Sequence, residues 1–248
     1  MTFGDESMAV FSVVKLSELE GEKRIDAEYY KPEYLKLSES LKKSGIELKP
    51  LKSFILNIKK GIEPGSENYQ NTGKPFIRVS NLSIHGFIDK DQKYLSEKLY
   101  QKLKENYEPK QGDILLTKDA TPGIAYVVKE EVEGIISSGI LRIQINDKKI
   151  NKEYLALYIN SSIGKMQIER ECSGSIISHL KPEQIKNLKI PLLPRSTQEM
   201  IASLIRRSYE ARKKSDELLN IAQKATEIAI EKSEKDALNY LSSFNNNY

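Results

Sequence analysis

KIPLLPRSTQEMIASLI, residues 189–205, decides how this chain is divided. To its left lies a short strand-like run whose Pro191 and Pro194 suit an edge or an exit better than a central strand, because proline donates nothing to a ladder. To its right, Ser196 and Glu199 form the S-x-x-E pattern of a capping box, in which each side chain accepts from an otherwise unpaired amide of the first turn. A compact domain is therefore predicted to end at 195 and a helix to begin at Ser196. No Pro or Gly occurs from there to the C-terminus. Ile201, Leu204, Ser208, Ala211, Ser215, Leu218, Ala222, Ala225 and Ala229 follow the alternating three and four spacing of a coiled-coil seam. A seam rich in Ser and Ala lets helices approach closely but buries little apolar area per turn, so this helix needs a partner. Ile201, Leu204, Ala211, Leu218, Ala222, Ala225 and Ala229 are the predicted dimerisation positions. Extended to Leu241, the helix would span roughly 70 Å.

Working back from this boundary, residues 46–195 form the predicted compact domain. Between 46 and 150 short apolar runs alternate with Gly, Pro and Asn, and the clearest strands are Pro75–Val79, Asp113–Thr117, Ala125–Val128 and Ile140–Ile145. GDILLTKDATPGIAYVV, from Gly112 to Val128, reads as a hairpin whose long polar tip, Lys118 to Gly123, can reach a ligand. Residues 152–169 read as a helix, with Tyr154, Leu157 and Tyr158 on related faces. A second polar loop and a short helical stretch, Pro182 to Leu188, follow. Residues 1–45 form an N-terminal segment in which Tyr30, Tyr34, Leu37 and Leu41 mark a short helix over 26–43. The fold class expected is α+β, a mixed, strand-rich domain followed by a long C-terminal coiled-coil helix.

With 248 residues and 39% hydrophobic content the chain can bury an ordinary core. Its formal net charge is only +4, yet residues 46–195 carry 24 Lys or Arg against 18 Asp or Glu, whereas the segments on either side are neutral or acidic. This modest excess suits a nucleic-acid-facing surface, and equally an ordinary solvated one. The single cysteine, Cys172, excludes an internal disulfide and a zinc site built on paired cysteines. MTFGDESMAVFSVV begins with acidic residues where a secretory signal needs basic ones, and no apolar run approaches a membrane span, so a cytoplasmic setting without a membrane is expected.

Several chemistries lack their motifs. There is no GxxxxGKS phosphate loop, no G-x-G-x-x-G after a strand, and no Asn-Pro-Pro-Tyr or Asp-Pro-Pro-Tyr run of the kind that holds a flipped adenine. His85 and His179 stand far apart without an H-E-x-x-H context, and nothing beside Cys172 resembles an activating base. No catalytic residue, metal ligand or cofactor is expected.

Read in order, DAEYYKPEY at 26–34, GKPFIRVSNL at 73–82, GDILLTKDATPG at 112–123, CSGSIISHLKPEQIKNLKIPLLP at 172–194 and STQEMIA at 196–202 resemble the target recognition domain and following helix of type I restriction-modification specificity subunits. The resemblance implies a non-catalytic, sequence-specific binder of double-stranded DNA. It also implies methyltransferase subunits docked on the helices and, through them, an ATP-dependent endonuclease subunit. Members usually carry two recognition domains and two helical regions in one chain, whereas this sequence has one of each, so it resembles a half-size subunit that forms a homodimer and reads a bipartite target. A recognition fragment of a fused type II restriction-methylation enzyme and a non-DNA oligomeric module are the alternatives.

Within that resemblance, bases are read by side chains at groove edges, and contacts to phosphates fix register. The candidates are Lys59, Lys60 and Ser66; Arg78, Ser80 and Asn81; Lys118 and Thr121 in the hairpin tip; and Ser173, Ser175, Ser178, His179 and Lys181 in the second loop. Arg78 suits guanine and Asn81 adenine, against which stand a solvated charge and a turn-forming Asn. Arg206, Arg207, Arg212, Lys213 and Lys214 make a basic stretch on the long helix, with Glu210, Asp216 and Glu217 close enough to neutralise it.

Overall fold

The computed structural model describes residues 10–22, 24–172 and 179–244. The chain forms two compact units, Met1–Glu199 and Met200–Tyr248.

In the first unit, helix α1 (Leu16–Glu22) and a 3-10 turn (Ala27–Tyr30) precede α2 (Pro32–Lys43). The single helix expected over 26–43 is divided by Pro32, because the residue before a proline is pushed out of the helical region, and Lys31 sits at φ −53°, ψ 144°. Tyr29 is sandwiched between guanidinium groups, Arg24 at 4.3 Å and Arg170 at 4.1 Å from its ring centre, which ties this segment to the rest of the unit.

Strands β1 (Leu48–Pro50), β2 (Ile55–Lys60), β3 (Lys74–Ile77), β4 (Leu82–Ser83), β5 (Gly86–Phe87) and β6 (Lys93–Leu95) lead to α3 (Glu97–Tyr107). Next come β7 (Ile114–Thr117), β8 (Ala125–Val127), β9 (Ile135–Ile136) and β10 (Ile140–Ile145). The main sheet has the order β2-β10-β7-β8, all antiparallel, and a smaller one has β6-β3-β9. β7 and β8 are buried at every position, which is why their sequences read as continuous apolar runs rather than alternating ones. Ile77, Leu82, Leu115, Tyr126, Val128, Ile136 and Ile140 form one core cluster between these layers. Phe76, Leu95, Tyr100 and Ile135 form a second, closed by Leu99, Leu103 and Tyr107 of α3.

The helix expected over 152–169 is two, α4 (Lys152–Asn160) and α5 (Ser162–Cys172). Ser161 between them is extended, and its hydroxyl donates to the Tyr158 carbonyl while accepting from the Gly164 amide, so it closes one helix and opens the next. Helix α6 (Pro182–Asn187) and β11 (Lys189–Pro191) complete the unit, and β11 pairs with β1 alone, in keeping with its prolines.

Helix α7 (Arg195–Glu231) begins in this first unit. Its first turn is anchored there by Gln198, 2% exposed, which accepts from the Asn151 amide at 2.8 Å and donates to the Leu193 carbonyl at 2.8 Å. The expected continuous helix to Leu241 stops earlier. α8 (Glu234–Ser242) starts afresh after Ser233, which is extended and caps the Asp236 amide. Ala225 of α7 and Ala237 of α8 are each 6% exposed, so both helices have a position covered within the chain.

Candidate nucleic-acid interface

Antiparallel register determines which loops meet. Lys60 lies opposite Leu141, Leu141 opposite Leu116, and Leu116 opposite Ala125. The end of β2, the start of β10, the end of β7 and the start of β8 therefore share one end of the main sheet. Lys59 and Lys60, the 118–124 tip and the 137–139 turn leave from that end. The 78–81 turn joins them: a Cβ on Gly139 would come 2.7 Å from Val79 Cγ2 and 3.6 Å from Asp119 Cβ. The chain after 178 arrives there too, since the Leu180 amide donates to the Lys118 carbonyl at 2.8 Å and Asp119 bridges His179 in antiparallel fashion.

Not all of the predicted contact residues are equally available. Lys59 and Lys60 are exposed, and Lys59 Nζ is 3.5 Å from Asn106 Oδ1. Ser66 opens an exposed 3-10 turn after Gly65, whose φ of +87° explains the glycine. Ser80, Thr121, His179 and Lys181 are exposed. Arg78 is half-buried, and its Nη2 donates to the Asp91 carbonyl. Asn81 is 1% exposed; its oxygen accepts from the Arg78 amide at 3.2 Å, and its nitrogen donates to Ile88 and Lys90 carbonyls at 3.2 and 2.7 Å. Both amide hydrogens of Asn81 are thus committed to holding the loop. Ser173, Ser175 and Ser178 lie outside the described residues.

One residue at the centre of this arrangement does not stand out in the sequence. Lys118 is 13% exposed, and its ammonium is 2.7 and 2.6 Å from the two oxygens of Asp119, while His179 Nδ1 is 2.9 Å from Oδ1. Burial alone would raise the Asp119 carboxyl, but the hydrogen bonds from His179 and Lys118 outweigh it and hold it below its ordinary value. An ionised carboxylate only accepts, so Nδ1 of His179 carries the proton of that bond. The one hint in the sequence is an acidic residue in a tip whose other polar side chains, Lys118 and Thr121, are of phosphate-binding types.

Chemistry elsewhere is muted. Burial pushes the Cys172 thiol up to about 11, away from the thiolate form that attacks or binds metal. Among the described residues no cluster of His, Cys, Asp and Glu could hold a metal ion, and no helix is long and apolar enough to cross a membrane.

The family model of the type I restriction modification DNA specificity domain matches residues 43–221. The chain belongs to this family. A putative type I restriction enzyme specificity subunit of Haemophilus influenzae, S.HindORF215P, is 28% identical over 162 residues, which make up 65% of this chain and 38% of that protein. The crystal structure of the type I restriction-modification system S subunit from M. genitalium shares the fold, with a TM-score of 0.56 at 14% identity over 81% of this chain and 49% of its own. That of the type IIG restriction endonuclease BpuSI does so at 0.52 and 11% identity, over 78% of this chain and 30% of its own. The chain thus spans less than half the length of each of these relatives. The long α7, following in sequence a unit that mixes sheets and helices, agrees with the α+β class read from the sequence.

Proposed function

We propose that this specificity-domain chain is a half-size, sequence-specific DNA-binding subunit of a type I-like restriction-modification complex, acting in the cytoplasm. In this reading it directs methyltransferase subunits and, through them, an ATP-dependent endonuclease to a bipartite target, and performs no catalytic step itself. The observation that carries it is the family match across 43–221, which includes every loop gathered at the end of the main sheet. Methylation mapping of the host genome with and without the gene tests it: a bipartite methylated motif should vanish with the gene, and an unchanged methylome would defeat the proposal.

Within this reading the contact residues divide by availability. Lys59 and Lys60 bind phosphates, and Ser66, Ser80, Thr121, His179 and Lys181 contact the backbone or base edges together with Ser173, Ser175 and Ser178. Asn81 acts as a clamp for the 78–81 turn, and Arg78 reads a base only by releasing the Asp91 carbonyl. Lys59→Ala and Lys60→Ala should weaken binding to all duplexes similarly and lower the salt slope by about one for each phosphate that is no longer neutralised. Titrations at several salt concentrations read this directly; a slope unchanged in both variants would move the phosphate track elsewhere.

The likeness to the BpuSI fold supports a second reading, the recognition part of a fused restriction-methylation enzyme. Co-purification of a separate methyltransferase chain distinguishes the two.

A further inference from the structure

Asp119 is an odd residue to find where loops converge to meet a polyanion. A carboxylate repels phosphates, and an ion pair that keeps some contact with solvent contributes little to stability. Yet its surroundings are built around it. The neighbouring Ala120 adopts φ +58°, a left-handed conformation unusual for a residue with a side chain, and the Thr121 amide donates to the Asp119 carbonyl at 2.7 Å. Gly139 lies against the same carboxylate, its Cβ position an ordinary contact distance of 3.7 Å from Oδ2. The Asp119 side chain remains 23% exposed.

The pattern of its bonds points to a use. An ionised carboxylate offers about four lone-pair positions. Lys118 takes one on each oxygen and His179 a second on Oδ1, so Oδ2 keeps an acceptor position that none of these bonds uses. Lys118 neutralises the charge that would otherwise repel the DNA backbone, and the two partners hold the oxygens in place. What such a group does that Lys, Arg or a hydroxyl cannot is accept without donating. In the major groove that selects the exocyclic amine of cytosine or adenine and rejects the carbonyl oxygen of guanine or thymine.

We propose that Asp119 is a base-reading residue, held by Lys118 and His179 so that Oδ2 accepts a hydrogen bond from the exocyclic amine of one cytosine or adenine in the target. This rests on the DNA-binding reading above. Lys118 is then a positioning residue, its ammonium engaged with Asp119 in place of a phosphate.

Selection from a pool of duplexes with a randomised central segment, using the full chain and the Asp119→Asn variant, tests it. Wild type should enrich a motif containing one position restricted to cytosine or adenine. Asp119→Asn, which swaps one acceptor for a donor at equal size, should lose that restriction by about 10- to 100-fold while keeping the remaining positions. A second measurement does not depend on the variant folding. Each selected cytosine or adenine is replaced in turn by its analogue lacking the amine, and at one position wild-type affinity should fall by a similar factor. An identical motif for wild type and Asp119→Asn, or no position sensitive to loss of the amine, overturns the proposal and leaves Asp119 as a loop fastener. If wild type enriches no motif at all, the DNA-binding reading itself fails.

Discussion

Arg142→Met is expected to cost the fold about 3 to 5 kcal/mol, because it strands a buried carboxylate. Arg142 lies in β10 at the middle of the main sheet, between Lys59 of β2 and Leu115 of β7, and is 7% exposed. Its Nε stands 3.6 Å from Asp113 Oδ2, and its Nη1 donates to the Glu108 carbonyl. Asp113 is itself 4% exposed, and its other bond there is the Lys110 amide at 2.9 Å. A methionine fills similar volume, so the loss comes from the unpaired charge and the orphaned carbonyl rather than from a cavity. The double variant Arg142→Met, Asp113→Leu removes both charges and should recover a large part of the loss, since replacing a buried pair by apolar groups is often neutral. Urea denaturation followed by circular dichroism measures both, a suitable probe for a chain without tryptophan. A loss under about 1 kcal/mol in the single variant would mean that the guanidinium's partners are satisfied without it. The consequence reaches the interface, because β10 carries the 137–139 turn at one end and fixes the register of Lys59 and Lys60 beside it.

How legible this arrangement is in the sequence depends on how local its causes are. The strand at Ile140–Ile145 is readable to the residue, because a run with four aliphatic residues in six, between a glycine turn and Asn146, has few other fates in a domain of short strands. Helix α3 is not, although Leu99, Tyr100, Leu103 and Tyr107 keep helical spacing and Ser96 caps the Leu99 amide. Its lysines and glutamates dilute the stripe, and it falls among strand-like runs. The breaks at Lys31, Ser161 and Ser233 turn on single residues: a proline following, a serine bonded both ways, a serine cap. The candidate interface is legible as a set of loops, since glycine, proline and hydroxyl clusters announce turns. Which of their side chains remain available is not. Asn81 is committed to carbonyls seven and nine residues on, and Asp119 meets a histidine sixty positions away. Such pairings depend on sheet register, which no local pattern encodes.

On the half-size reading, wild type should be a dimer and the Leu204→Glu, Leu218→Glu double variant a monomer. Leu204 and Leu218 are 57% and 45% exposed on a helix with too little apolar surface of its own to explain them, and both belong to the seam read from the sequence, with Ala211 and Ala222 also exposed between and beyond them. Ala225, predicted for the same seam, is 6% exposed within the single chain, as is Ala237 of α8, so a charge at 225 would damage the chain's own packing and confuse the test. Glutamates at 204 and 218 leave that packing alone and, across the proposed two-fold axis, would set like charges within the proposed interface. Helical content and the β-rich unit should be unchanged by circular dichroism, with the difference appearing in sedimentation. Identical subunits related by a two-fold axis present one reading surface in opposite directions, so the proposed target is two inverted copies of a short sequence separated by unread bases. Disrupting the dimer should leave half-site binding intact and lower affinity for the full inverted site by about 100-fold or more, because binding to the second half-site ceases to be intramolecular. A wild-type monomer, or a variant that keeps its preference for the inverted site, would assign the exposed leucines to another partner, and a docked methyltransferase subunit would be the first to test.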